Sequence, residues 1–393
     1  MTRPLTEILP EGQALLAAGR PEAVETLLKP YLAGGTGPIL LWKLLAVALR
    51  RQGRFAAARR IQEMIVETVP GDLPARYDLA DTLLTLGEFA RGWREYRYRY
   101  SLPHTRAIER KVQRPRWEGA PIPGETLLIH DEQGFGDTFQ FIRLIRAARA
   151  RSQARVIVEV NQAAFSLIQR SYPDFTVTLR GQLPPPFDYH CELMSLPAAL
   201  GLELADLPGE TAYLRAAPER IERWRARLHD LPRPLVALAW AGRPTHPNDA
   251  SRSLPLSAFA PLASAGVHCV AVQKGPAADE EAPAGLALTR LGPEIADFED
   301  TAAILSVADL LISTDSSPAH LAGSLGRPAW VLVPFEPEWR WMLDRDDSPW
   351  YPRHRLFRQG RPGDWPGVLE RAGDALHNMT GNHASRTPQK AAS

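Results

Sequence analysis

The chain has 393 residues, 45% hydrophobic and 23% charged, with a formal net charge of +1. That length calls for at least two domains with cores of their own, and the balanced charge gives no sign of a chain built to bind nucleic acid. Two cysteines, Cys191 and Cys269, are too few for a disulfide framework or a metal set, and no run approaches the roughly eighteen apolar residues of a membrane span. Residues 1–10 lack an apolar core of signal-peptide length, so a soluble protein of the reducing cytoplasm is the expectation.

The first hundred residues repeat. Gly19, Gly53 and Gly87 are spaced 34 positions apart, and Leu15, Leu49 and Leu83 keep the same interval. Each glycine separates two segments with apolar residues at helical spacing; around Gly53 these are Trp42, Leu45 and Leu49, then Phe55, Ala58, Ile61 and Ile65. A glycine reversal lets two such helices lie side by side. The helix-turn-helix period resembles the tetratricopeptide repeat, of which residues 1–102 hold about two and a half to three units. The repeats either extend the core of the main domain or bind a polypeptide partner on a concave face.

A basic linker follows over 103–124. Then residues 126–130, 156–160 and 175–179 read as strands alternating with helices, the signature of a parallel sheet. Residues 189–196 continue that sheet or line its rim. Leu231-Pro232-Arg233-Pro234 marks a boundary, which closes a first α/β domain at 125–231. The second, 232–377, carries strands at 235–240, 267–272, 308–314 and 328–333. The segment 358–367 is expected to cross back toward the first half, and the polar tail 378–393 to be disordered.

The chemistry gathers after strands. In the loop Asp131-Glu132-Gln133-Gly134-Phe135-Gly136-Asp137, the two glycines permit close approach of the backbone, but the spacing is not the dinucleotide fingerprint. An acidic residue there repels a pyrophosphate. Asp137 therefore either orients or deprotonates a nucleophile, or caps the following helix. His130 and Glu132 tune it or face solvent, while Gln133, Gly134 and Gly136 line the cleft. In the second half, Arg243, Asn248 and Arg252 follow one strand, and Gln273 and Lys274 the next. Donors and cations at one sheet edge suit an anionic ligand.

The run 308–323 delivers Asp315-Ser316-Ser317-Pro318-Ala319-His320 from a buried strand onto the start of a helix. Pro318 suits the first turn, Ser316 or Ser317 can cap, and the remaining amides can hold phosphate. His320 bonds either to phosphate or to backbone. Phe335, Trp339 and Trp341, with Trp350, form either a core clamp between the last helix and the sheet or a stacking wall for a ligand. No spaced His/Cys/Asp set marks a catalytic metal.

These motifs resemble the lipopolysaccharide heptosyltransferases, and more distantly protein O-linked N-acetylglucosamine transferase, over about 127–359. Asp315 to His320 with Leu321-Ala322-Gly323 is similar to the D-x-x-x-x-H-L-x-G donor-phosphate segment, and the WRWMLDRDDSPWY run at 339–351 is typical of repeat-bearing relatives. The resemblance implies an α plus α/β protein: repeats, then two Rossmann-like domains in the arrangement called GT-B. It implies a nucleotide-sugar substrate with no further cofactor, held by Arg243, Arg252, Lys274, Ser316, Ser317 and His320. It matches Asp137 to the catalytic base, and it places Arg252 where the heptosyltransferases carry lysine, a change of geometry at constant charge. The expected reaction is an inverting, metal-independent glycosyl transfer to an acceptor hydroxyl, on a protein or peptide if the repeats dock one. The rival readings are a noncatalytic scaffold that binds proteins through its repeats, and a nucleotide-sugar epimerase or hydrolase.

Overall fold

The computed structural model describes residues 3–106, 109–246 and 248–384; positions 385–393 of the expected disordered tail lie outside the described residues. The chain divides into two compact units, one of Met1–Lys111, Gly201–Ala205 and Phe335–Asp344, the other of Val112–Leu200, Asp206–Pro334 and Arg345–Ser393.

The first unit is built on α1 (Leu5–Ala17), α2 (Pro21–Leu28), α3 (Ile39–Arg51), α4 (Phe55–Thr68), α5 (Leu73–Thr85) and α6 (Phe89–Tyr96). The repeated glycines end α1, α3 and α5 with φ of +68°, +74° and +81°, where a side chain is strained. The next N–H returns five residues each time, from Arg20 to Leu15, Arg54 to Leu49 and Glu88 to Leu83, at 2.9 Å in all three. This left-handed ending satisfies orphan carbonyls of the helix, and it explains why leucine and glycine share one period. Leu49, Phe55, Ala58, Ile65, Leu79, Leu83 and Phe89 are buried between the helices. Each such apolar side chain larger than alanine contributes about 1.5–3 kcal/mol.

The tryptophan run departs from its expectation. Residues 335–344 belong to this helical unit, where the Trp339 ring meets Trp93 edge-on at 5.2 Å and Tyr96 at 6.3 Å. Trp339 and Trp341 are 2% and 0% exposed, which leaves no face for a stacked ligand. Phe335 is half-buried, 3.1 Å from where a Cβ on Gly53 would stand. Trp339 therefore braces the repeats, rather than clamping the last helix to a sheet. Arg50 Nε, 3.3 Å from Glu336, adds an ion pair to the same segment.

The second unit contains two parallel sheets. The first has strands β1 (Thr126–His130), β2 (Arg155–Val160), β3 (Thr176–Leu179) and β4 (Tyr189–Glu192), with α7 (Phe135–Phe141), α8 (Ile145–Ser152) and α9 (Gln162–Ser171) between them and the order β3-β2-β1-β4. After α10 (Pro218–Arg227) come β5 (Leu235–Ala239), β6 (His268–Ala271), β7 (Ala287–Arg290), α11 (Phe298–Val307), β8 (Leu310–Thr314), α12 (Ser317–Ser324), β9 (Ala329–Val333), β10 (His354–Arg358) and α13 (Trp365–Ala384). Their order is β10-β9-β8-β5-β6-β7. In each sheet the strand order reverses once, between β1 and β4 and between β5 and β8, while all strands stay parallel. Crevices for ligands open at the carboxyl ends of such strand pairs.

Three expectations change here. Residues 358–367 do not return to the first half: β10 pairs with β9, and Val368, Leu369, Ala372 and Leu376 of α13 join the core beneath Val236, Leu238 and Phe259. The tail is helical as far as Ala384. The end of the linker is built into the first sheet's edge, with Trp117 N–H donating to the His190 carbonyl at 2.8 Å and His190 N–H to that of Pro115 at 3.1 Å.

Candidate functional site

The loops expected to carry chemistry leave the two reversal points. Asp137 lies in the first turn of α7, half-buried, and its Oδ2 accepts from the Gly134 N–H at 2.8 Å. The capping reading of Asp137 is therefore realised, as the reach-back half of a capping box. Two residues of this turn face the other sheet's machinery. A Cβ on Gly136 would stand 2.7 Å from Cδ2 of His320, so the backbone of α7 lies directly against the His320 ring on α12. Phe135 and Phe139 of α7 also pack against Phe298 at the start of α11, with ring centroids 4.6 Å and 4.9 Å apart. The glycine loop and the start of α12 thus form one place.

On the second-half side, Asp315 is 6% and His320 5% exposed. His320 Nε2 is 3.6 Å from Asp315 Oδ1, and Arg252 Nη1 is 4.0 Å from Asp315 Oδ2. One buried carboxylate thus sits between an arginine and a histidine, and the Arg252 charge offsets part of its own. Arg252 is also 4.0 Å from Asp249, and its guanidinium lies where a Cβ on Gly242 would come within 2.9 Å. Ser253 holds the turn by donating to Asp249 Oδ1 at 2.7 Å and accepting from Gly242 N–H at 2.9 Å. Arg243 and Asn248 are exposed on the same loop. Ser316 caps α12 by backbone conformation but makes no side-chain capping bond; its hydroxyl is 3.0 Å from that of Ser313. Ser317 is half-buried in the first turn.

Two expected ligand residues have structural employment instead. Lys274 Nζ donates to the carbonyls of Ile295 at 2.6 Å and Gly292 at 3.2 Å, which turns its charge away from a phosphate role. Gln273 is a clamp between the ends of β5 and β6: its Oε1 accepts from the N–H groups of Trp240 and Ala241, both at 3.0 Å, and its Nε2 donates to the carbonyls of Ala241 and Lys274. A strand-end polar residue has two ways to be satisfied, and here the backbone takes both.

His130 and Glu132 are buried, at 1% and 2% exposure, so neither faces solvent; Gln133 is half-buried and Gly134 exposed. His130 Nε2 is 3.3 Å from His190 Nδ1. With Glu192 these residues place ligand-type atoms within 4.8 Å of one another, a buried group that could hold a metal. The register explains it: His130 and Glu192 are paired across β1 and β4, and His190 lies two residues earlier on the same face. Both carboxylate oxygens of Glu192 are already engaged, by Arg116 at 2.6 Å and Ser195 at 3.0 Å. That makes the group a buried ion-paired layer below the loop in the first instance.

Three participants escaped the sequence reading. His246, in the loop after β5, is held below the usual imidazole range by burial and then by Arg252, while Asp315 and Asp137 pull the other way. Its Nδ1 accepts from the Asn248 N–H at 3.2 Å. Tyr351 meets His320 with its hydroxyl 3.0 Å from Nδ1. Arg143, only 6% exposed, supports α7 by donating to the carbonyls of Pro208 and Trp350, at 2.8 Å and 3.1 Å, and to the Tyr213 hydroxyl at 2.8 Å. An arginine among Phe139, Ile142, Leu144 and Ile145 was the available signal for that last one.

No family model matches the chain. Among curated proteins it is similar to Protein FlbA of Caulobacter vibrioides, with 28% identity over 339 residues, 79% of this chain and 56% of that protein. The chain thus spans about half the length of the curated relative it matches. Among solved structures it is similar to E. coli ADP-heptose lps heptosyltransferase II, at 14% identity, TM-score 0.47, over 65% of this chain and 99% of that one. A glycosyl transferase family 9 structure from Veillonella parvula gives 11% and 0.44, over 68% and 100%. A Thermobaculum terrenum O-GlcNAc transferase gives 12% and 0.30, over 98% and 94%.

Proposed function

We propose that the chain is a glycosyltransferase that moves a sugar from a nucleotide-sugar donor to an acceptor hydroxyl. The observation that carries this reading is the contact of Gly136 with His320, which sets the helix start bearing Asp137 against the helix start bearing the anion-type motif. The donor's diphosphate would lie at the amino end of α12, where the helix dipole favours negative charge, with Arg252 beside it. Asp137 would accept the proton of the acceptor hydroxyl as its oxygen bonds to the anomeric carbon. The bond from that carbon to the phosphate oxygen breaks, and the electron pair leaves on the diphosphate. Attack from the face opposite the leaving group inverts configuration. In this reading Asp137 supplies the base and the start of α12 with Arg252 the anion site; the mechanism needs no resident metal.

The acceptor is proposed to be a protein or peptide, brought by the helical unit, whose Leu40, Val47 and Leu73 remain exposed at 52%, 39% and 41%. Among the described residues no helix is long and apolar enough to cross a membrane, and a cytoplasmic site of action is proposed.

The test is a thermal-shift panel of UDP-, GDP-, ADP-, CMP- and dTDP-linked sugars on the full chain, followed by turnover with any donor that stabilises it. A donor at one hundred times its Kd should add about 2.7 kcal/mol of stability. Stabilisation by none of them, with no sugar release, would leave the noncatalytic scaffold as the reading. Acceptor-independent conversion of the donor would favour an epimerase or hydrolase.

A further inference from the structure

The donor-motif histidine is held from behind by a residue outside the motif. His320 presents Nε2 to Asp315 at 3.6 Å, and its Nδ1 is 3.0 Å from the Tyr351 hydroxyl. Tyr351, 2% exposed, reaches it because residue 323 is glycine: a Cβ there would fall 2.2 Å from ring atom Cδ1 and 2.4 Å from Cγ. Residues 320 and 323 are neighbours one turn apart on α12. The ring that packs on Gly323 therefore delivers its hydroxyl to His320. Arg143 sits with its guanidinium carbon 5.1 Å from the Tyr351 ring centre and bonds the preceding carbonyl, fixing the tyrosine in turn.

We propose that Tyr351 is a positioning residue that keeps the hydrogen of His320 on Nε2, the nitrogen that faces Asp315 beside the proposed diphosphate site, a role that rests on the glycosyltransferase reading. A phenol donates to a neutral imidazole nitrogen and accepts from a protonated one. The Tyr351 hydroxyl thus serves both states of His320, and in both the hydrogen at Nε2 is kept. Removing it costs the neutral ring the bond that selects its tautomer, and costs the charged ring an acceptor. The charge-assisted bond is the stronger of the two, so the ring then holds its proton less well. The other charged or titratable groups around it are Asp315 with Arg252 behind it, His354, Arg143, and, across the Gly136 contact, Asp137 with His246. Tyr351→Phe leaves each of these side chains in place and removes one further bond, to the Tyr213 hydroxyl, which stays held by Arg143 at 2.8 Å and by the Phe139 carbonyl at 2.8 Å.

The experiment follows the imidazole nitrogens of the ¹⁵N-histidine-labelled full chain through a pH titration, in wild type, Tyr351→Phe and Gly323→Ala, with His320→Asn to assign the signal. In Tyr351→Phe the His320 midpoint should fall by about one pH unit or more, and its neutral form should shift toward the Nδ1–H tautomer. Gly323→Ala, which displaces the ring, should move both in the same direction. Affinity for whichever of UDP, GDP, ADP or dTDP the wild type binds should drop about tenfold in calorimetry. An unchanged midpoint and tautomer in Tyr351→Phe would overturn the positioning role. A shifted midpoint in a protein that binds no nucleoside diphosphate would establish the Tyr351–His320 coupling and overturn the glycosyltransferase reading instead.

Discussion

The backbone of Gly136 lies against the ring of His320, so close that a methyl group on Gly136 would stand 2.7 Å from Cδ2. The requirement is for space, since Gly136 is not in the left-handed region that would demand glycine for its dihedral angles. Gly136→Ala should push His320 and α7 apart at a cost of about 1–3 kcal/mol. Denaturant unfolding measures that loss, and the affinity for a stabilising nucleotide sugar should fall with it. Unaltered stability and affinity would mean that the two helices shift apart without consequence.

Asp137 carries two jobs in one side chain, a bond from the Gly134 N–H and the proposed proton acceptance. Asparagine can keep the first through its carbonyl oxygen but cannot perform the second. Asp137→Asn should therefore lower kcat by about 10²–10⁴ while donor affinity stays within about threefold and the melting temperature barely moves. Steady-state kinetics beside calorimetry separates these quantities. If asparagine left kcat untouched, Asp137 would be a cap and nothing more.

The two cations expected at the phosphate separate into different roles. Lys274 spends its ammonium on the carbonyls of Gly292 and Ile295, so Lys274→Met should destabilise the fold by about 1–2 kcal/mol and leave donor affinity nearly unchanged. Arg252 faces Asp315 with Nη1, and its buried Nε, 4.0 Å from Asp249, makes no hydrogen bond, so Arg252→Met should do the reverse and weaken donor binding by about tenfold or more. Isothermal titration and urea unfolding of the two variants distinguish the assignments, and a loss of donor affinity in Lys274→Met would return that lysine to the site.

What the sequence reveals and what it hides divide along physical lines. The 34-residue period was readable because each Gly and Leu serves the same local ending, a bond five residues long that needs no distant partner. The central strands were readable because burial on both faces writes continuous apolar runs such as Leu235–Ala239. Edge strands β7 and β10 were not: Ala287–Arg290 is exposed at both ends, and His354–Arg358 interleaves charge with apolar residues. At the site, Asp137, Arg252 and His320 could be named from strand-end position. The fates of Lys274 and Gln273 could not, because which carbonyl captures a polar tip is decided by the packing of distant loops. His246 and Tyr351 were hidden for the same reason, one in a loop of ordinary composition and the other 31 residues beyond the histidine it meets.

That tertiary packing also writes a pH dependence into the fold. His354 at the start of β10 is 5% exposed, and its Nε2 is 3.0 Å from the Ala319 carbonyl within α12. Burial pushes its imidazole down to about 3, against which the Ala319 contact pulls weakly upward. In the unfolded chain the same group protonates near 6.5. Above that pH neither state carries the proton, and His354 contributes nothing to the slope. Between about 6.5 and 3 the unfolded chain is protonated and the folded one is not, so stability falls as the solution is acidified, by up to about 1.4 kcal/mol per pH unit. His354→Gln can still donate to Ala319 but binds no proton. Urea unfolding from pH 7.5 to 4.5 should show the wild-type midpoint declining more steeply than that of the variant, the difference corresponding to about one proton. Parallel curves would mean that His354 is charged in the folded protein, with its ring reoriented toward a partner that accepts from both nitrogens.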